Sequence, residues 1–308
     1  MGKHVVVGAG PIGTAVAGLL VTAGHDVSVV TRRGTQVAGA TAVAANASDA
    51  AVLSRHAAGA DALYNCANPP QYHTWPEIWP PLAAALLSAA ESSGAVLATM
   101  SCLYGYGPVT VPMTEEMPLV ATTVKGGIRA KMWHDALALH QAGRIRATEV
   151  RASDYLGYRV NGFLGDVVLT RTANGRTGYA LGDPGQPHSW TTIGDAANAL
   201  VIAAATESAW GHAWHAPTAP AISMRAAAER ANELIGAPRP TVREVPRPVL
   251  WSAGIVVPMA RAMREMQYQF QRPFILDSSH TERTFGIAPT PLDESLRKTA
   301  ELYRSAPR

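Results

Sequence analysis

The decapeptide His4-Val5-Val6-Val7-Gly8-Ala9-Gly10-Pro11-Ile12-Gly13 decides how this chain is read. The β-branched run at 4–7 favours a strand. Apolar residues at helical spacing over 14–23, stopped by Gly24, favour a helix directly after it. Between them the glycines follow a G-x-G-x-x-G spacing. Gly8 allows a tight turn, Gly10 lets a pyrophosphate approach the backbone, and Gly13 lets helix and strand pack closely, with Pro11 and Ile12 completing the loop. The free N–H groups and dipole of the helix N-terminus then favour an anion. Such a spacing is weak by itself. Here it sits inside a strand–loop–helix–strand unit, and the ligand that context implies is a dinucleotide.

Working outward, further strands are expected at 26–30, 41–44, 61–65, 95–100 and 145–150, with helices at 81–93 and 126–141. Strands alternating with helices imply right-handed crossovers and a doubly wound parallel α/β sheet. After residue 152 the alternation breaks. A glycine-rich stretch over 174–187, with a strand at 179–181, reads as substrate-side loop structure. Asp195 reads as the N-cap of an apolar helix over 196–205. Helices at 224–235 and 293–303 flank a proline-punctuated segment at 238–248. The expected organisation is a nucleotide-binding domain over 1–152 with a returning segment near 189–206. A smaller, mainly C-terminal substrate-binding domain takes 153–188 and 207–308.

Composition narrows the class. Hydrophobic residues make up 47% and charged residues 16%, a globular balance far from that of disordered chains. The net charge of +3 is scattered, with no basic run interleaved with aromatics, so no nucleic-acid partner is expected. Cys66 and Cys102 form no CxxC pair and no disulfide framework. With no leader pattern at the start of the sequence, a cytoplasmic location is expected. The apolar stretch 251–263 holds Pro258 and Arg261 and falls short of the about 18–20 residues a membrane span needs. The histidines show no HExxH spacing, so no metal site is expected, and no Gly-x-Ser-x-Gly elbow points to a serine hydrolase.

The end of the second strand bears on cofactor choice. Sites for NAD usually carry an acidic residue there to bind the ribose hydroxyls. This chain has Thr31, Arg32 and Arg33 instead. A carboxylate repels a 2′-phosphate, whereas a guanidinium pairs with it bidentately. NADP(H) is therefore expected, with NAD as the alternative.

With these segments in hand, the chain resembles the extended short-chain dehydrogenase/reductases, specifically the NAD-dependent epimerase/dehydratase family. Ala45-Asn46-Ala47-Ser48-Asp49 is similar to the family's adenine-side segment, with Asn46 in place of the first Asp. Asn65-Cys66-Ala67-Asn68 resembles the turn that lies against the cofactor. Ser101-Cys102-Leu103-Tyr104-Gly105 resembles the Ser-containing strand end with its Tyr-Gly. Segments 151–157 and 189–196 and the ending 277–289 follow in the family's order. The resemblance implies a Rossmann domain, cofactor contacts from Asn46, Ala67 and Asn68, and chemistry from a Tyr-x-x-x-Lys helix whose tyrosine transfers a proton. Matched to that pattern, Lys131 falls at the lysine and Gly127 at the tyrosine. No tyrosine stands four residues before any lysine in the chain. In this it resembles atypical members that lack the catalytic tyrosine.

Several residues are candidates for the chemistry. Ser101, at a central strand end, would hydrogen-bond a substrate carbonyl or cap a local turn. Tyr104 or Tyr106 would replace the missing acid or pack as amphipathic rings. Lys125, read as lying in a polar turn just before the helix, would contact substrate or phosphate or remain solvated. Lys131 would serve in the helix. Asp154 and Tyr155 would form a polar pair at the substrate mouth or shape a turn. His188, His212 and His215, near Trp190, Trp210 and Trp214, would line a pocket or fill a core. The expected function is NADP(H)-dependent hydride transfer on a carbonyl or alcohol of a small-molecule or sugar-like substrate. The rival is a non-catalytic NADP(H) redox sensor that signals to a protein partner. A homodimer is compatible with both.

Overall fold

A computed structural model describes residues 1–246 and 264–305. The stretch 251–263 and the end of the proline-punctuated segment lie outside the described residues. The chain forms two compact units. Met1–Gly107, Pro118–Ala152 and Ala196–Ala216 make the first, and Pro108–Met117, Ser153–Asp195 and Pro217–Arg308 the second.

The first unit contains β1 (Lys3–Val7), α1 (Pro11–Thr22), β2 (Asp26–Thr31), β3 (Thr41–Ala44), α2 (Ala50–Ala57) and β4 (Ala62–Asn65). It continues with α3 (Trp75–Ser93), β5 (Val96–Cys102), α4 (Val124–Gln141) and β6 (Arg146–Ala152), and ends on β9 (Ala213–His215). The seven strands pair in the order β9-β6-β5-β4-β1-β2-β3, all parallel. Fully buried Val5, Val6, Val29 and Leu63 show why the strands read as continuous apolar runs: helices cover both faces of such a sheet.

Two expectations shift here. The helix expected over 81–93 begins earlier, at Trp75, as α3. Pro76 sits in the first turn, where an N–H has no intrahelical acceptor, so only Pro80 and Pro81 remove ladder bonds. Trp75 and Trp79, both buried, hold the turn, and the Trp75 indole N–H donates to the Pro69 carbonyl at 2.9 Å. Likewise α4 begins at Val124, because the Thr123 hydroxyl accepts from the Gly126 N–H at 3.1 Å as an N-cap. Lys125 therefore lies inside the first helical turn and not ahead of it.

The second unit contains β7 (Asp154–Leu156), paired in parallel with β8 (Trp190–Thr192). A π-helical segment (Phe163–Leu169) and the helices Met224–Leu234 and Leu292–Ser305 enclose a core of Leu164, Val168, Trp190, Met224, Phe270 and Leu296. Asp195 is not an N-cap. The helix Ile193–Ala205 starts earlier, the Thr192 hydroxyl accepts from the Asp195 N–H, and the Asp195 carboxylate accepts from Thr290 N–H and Oγ1–H. Among the described residues no helix is long and apolar enough to cross a membrane.

Candidate functional site

The sheet reverses direction of growth at β1, which has β2 on one side and β4 on the other. Loops leaving the carboxyl ends of β1 and β4 thus diverge and open a crevice, the place where such sheets bind ligands. The glycine loop follows β1 and Cys66-Ala67-Asn68 follows β4. Gly8 adopts φ +101°, and a Cβ there would stand 3.0 Å from the Ala67 backbone. At Gly13 a Cβ would come within 2.0 Å of the Gly8 carbonyl oxygen. These two glycines are required by packing inside the protein.

Gly10 differs. Among the described residues nothing beyond its chain neighbours lies within 4 Å of where its Cβ would be, and it caps α1 with extended backbone and no side-chain hydrogen bond. Pro11, the first helical residue, has no N–H, so Ile12 and Gly13 present the first-turn amides. A space a Cβ would fill, edged by first-turn amides that have no intrahelical acceptor, fits a pyrophosphate. Beside it the buried Cys66 thiol has its pKa pushed up by burial and stays protonated.

At the end of β2, the Thr31 hydroxyl accepts from the Thr35 N–H at 2.8 Å and closes a turn that leaves Arg32 and Arg33 exposed. Exposed Asn46 turns its side chain onto its own loop, accepting from the Ser48 N–H at 3.1 Å, while Asp49 caps α2. No carboxylate replaces the arginines at this strand end.

The structure brings together some of the sequence candidates. Ser101, 5% exposed, sits on β5 opposite Arg151 of β6. Tyr104, in the 3-10 turn Leu103–Tyr106 after β5, places its hydroxyl 2.8 Å from that of Tyr72. Lys125 is 4% exposed with Nζ 5.5 Å from the Tyr72 ring centre. The Trp75 ring stacks on Tyr104 at 6.2 Å. Tyr104 and Lys125 thus meet around Tyr72.

Lys131 does not join them. Its ammonium lies 2.8 Å from both Asp135 oxygens, and its side chain is 75% exposed. The buried face of α4 carries Lys125, Gly126, Arg129, Ala130 and Trp133, so residues 127 and 131 lie off that face. The i, i+4 pair on the inner face is Lys125–Arg129. The sequence signal for Arg129 is the same i, i+4 spacing two positions earlier in the helix, with Lys125 in the first place. It is 6% exposed, with its guanidinium 4.1 Å from the Trp79 ring and 5.1 Å from that of Trp75. Its Nη2 donates to Asn68 Oδ1 at a long 3.4 Å, while Nε and Nη1 have no hydrogen-bond partner among the described residues.

Tyr106 belongs to another cluster. Its hydroxyl is 2.7 Å from His215 Nε2 and accepts from Arg151 Nη1 at 2.7 Å, and Arg151 Nε donates to Glu149 at 2.7 Å. Burial disfavours the Arg151 charge, but Glu149 and Tyr106 outweigh it, and the pKa of Arg151 is raised. Fully buried in this network, Tyr106 ties β5, β6 and β9 together. Trp210 and Trp214 donate their indole N–H groups to carbonyls within the same unit, and His212 packs against Trp214. In the second unit, Asp154 lies 2.9 Å from His188 Nε2, and His188 stacks on Trp190 and Phe270. Among the described residues no group of three or more His, Cys, Asp or Glu side chains could hold a metal ion.

Comparison with known proteins follows the same lines. The profile of the NAD dependent epimerase/dehydratase family matches residues 4–215. No curated protein sequence matches the chain. Among solved structures, a UDP-glucose 4-epimerase from Thermotoga maritima superimposes with TM-score 0.79 at 17% identity, covering 98% of each chain. A UDP-N-acetylglucosamine 4-epimerase from Methanobrevibacter ruminantium gives 0.81 at 14% identity, covering 99% of this chain and 98% of that one. A dTDP-glucose 4,6-dehydratase from Bacillus anthracis, in complex with NAD, gives 0.78 at 15% identity over 98% and 96%. At such identities the likeness is one of fold, and it extends over 98% to 99% of this chain. From the glycine loop at the sheet reversal to the profile match over 4–215, the chain belongs to the NAD dependent epimerase/dehydratase family.

Proposed function

We propose that this protein is an NADP(H)-dependent enzyme that moves a hydride to or from a carbonyl or alcohol carbon of a small, sugar-like substrate. The observation that carries the cofactor half is the Gly10 cradle with its first-turn amides. Exposed Arg32 and Arg33 at the β2 end favour NADP(H), although the dTDP-glucose 4,6-dehydratase it resembles in fold was solved with NAD. The sugar class follows from the family and from the epimerases and dehydratases that share the fold.

The bound nicotinamide supplies the hydride donor or acceptor. The chain's own residues handle the proton and the charge. The Tyr72–Tyr104 hydroxyl pair offers a route for a proton to a reacting oxygen, and Lys125 beside it supplies positive charge where negative charge develops on that oxygen. Ser101 offers a hydroxyl at the adjacent strand end. NADPH and NADH titrations followed by nicotinamide fluorescence test the cofactor choice; tighter binding of NADH refutes it. Turnover over a panel of carbonyl compounds and nucleotide sugars, scored by absorbance and by product stereochemistry, tests the reaction. Lys125→Met should lower turnover while leaving NADPH binding in place.

The absence of a phenol on the inner face of α4 favours a second reading, a redox sensor that binds NADP(H) without turning it over. NADPH binding with no product from any member of the panel selects that reading.

A further inference from the structure

We propose that Arg129 is an anion-binding residue and that the substrate carries a carboxylate or phosphate group which it receives. Two arginines are buried to less than a tenth exposure among the described residues, Arg129 and Arg151. They are treated in opposite ways. Arg151 is neutralised by Glu149 and donates to Tyr106. Among the described residues Arg129 has no carboxylate partner: it lies against the Trp75 and Trp79 rings, and the one hydrogen-bond acceptor it meets there is the neutral Asn68 side chain. Cation–π contact with two indoles compensates part of the lost hydration, but not the hydrogen bonds left unmade at Nε and Nη1. A buried cation without a counter-charge is costly unless its partner arrives from outside.

The approach lies on the Asn68 side. Asn68 is exposed and its bond to Nη2 is long, so an anion oxygen coming from solvent can take over that donor. Asn68 follows Ala67, whose backbone packs against Gly8, which puts Arg129 beside the dinucleotide crevice at the carboxyl end of β4. Lys125, one turn earlier on the same helix face, adds a second positive charge. The guanidinium lies over two indole rings that stand nearly perpendicular to each other, and its N–H donors suit carboxylate or phosphate oxygens. This inference deepens the proposed function by giving its substrate a charge, and it rests on that reading for the identity of the ligand.

The test uses the whole chain. Inorganic phosphate and malonate are each exchanged for chloride at constant ionic strength, with and without saturating NADPH, and thermal unfolding and tryptophan fluorescence are read. Wild type should show a saturable rise in Tm and a fluorescence change that persist with NADPH bound. Arg129→Met should weaken the response by about tenfold or more, and Arg129→Lys should keep part of it. No response in wild type, or an equal response in R129M, overturns the proposal. Loss of the response once NADPH binds assigns the anion to the cofactor and overturns it as well. Should R129M not fold, an Arg129→Gln chain that responds like wild type overturns it. Failure of NADPH to bind wild type refutes the cofactor reading alone, since the anion titration without NADPH still reads Arg129.

Discussion

Glu149→Ala should be among the most damaging single changes in the first unit. Glu149 and Arg151 stand two apart on β6, on one face of the strand, with Oε1 and Nε 2.7 Å apart and both side chains 3% exposed. Removing the carboxylate strands a guanidinium in the interior with the Tyr106 hydroxyl as its remaining hydrogen-bond partner among the described residues. Breaking a buried pair in this way costs about 3–5 kcal/mol. With a urea slope of about 3 kcal/mol per molar, the unfolding midpoint falls by about 1 to 1.7 M. Trp133, whose ring lies 5.8 Å from the Arg151 guanidinium, reports the transition by fluorescence. The double variant Glu149→Ala/Arg151→Met should recover much of the loss, because the penalty belongs to the orphaned charge more than to the pair. A loss below about 1 kcal/mol for Glu149→Ala, or a double variant no more stable than the single, refutes the reasoning.

Three other outcomes are expected. Gly13→Ala drives a Cβ into the Gly8 carbonyl. An overpacking cost of about 1–3 kcal/mol then falls on the phosphate loop, and NADPH binding should weaken by about tenfold or more in a fluorescence titration. Lys131→Ala removes an exposed i, i+4 pair and should change stability by at most about 0.5 kcal/mol, leaving turnover intact, whereas Lys125→Met lowers it. A large loss of turnover from Lys131→Ala would return that residue to the site. His4 is held below its ordinary pKa of 6.5 by burial and by His25, against the opposing pull of Asp61. The unfolded chain then binds the extra proton first, so stability contributed by neutral His4 is present above pH 6.5 and drains away as pH falls through the folded value. Denaturation at successive pH values should show that slope shrinking in His4→Gln; an unchanged slope refutes it.

The strands and glycine loop were legible because each carries a short-range cause: β-branched runs for β1 and β2, and three glycines with separate steric or ligand roles. The start of α3 was not, because Pro80 and Pro81 look like breakers until the burial of Trp75 and Trp79 is known. Burial is a tertiary fact, and it overrode local propensity there. The same blindness hid Arg129, whose neighbours at 68, 75 and 79 are far away in sequence. Tyr106 and Arg151 looked like independent loop and strand-end residues, and only strand pairing shows that they share one hydrogen-bonded network with His215.

Helix α4 carries a lesson about angle. Each residue advances an α-helix by 100°, so a shift of two positions turns a side chain by about 200°, nearly to the opposite side. Lys131 and Arg129 are two letters apart in the chain and live in different solvents: one faces water and Asp135, the other faces indole rings. Evolution of this helix therefore has two independent surfaces to work with. Charge gained or lost at 127 or 131 tunes the outer skin, while any change at 125 or 129 rewires what the crevice can hold.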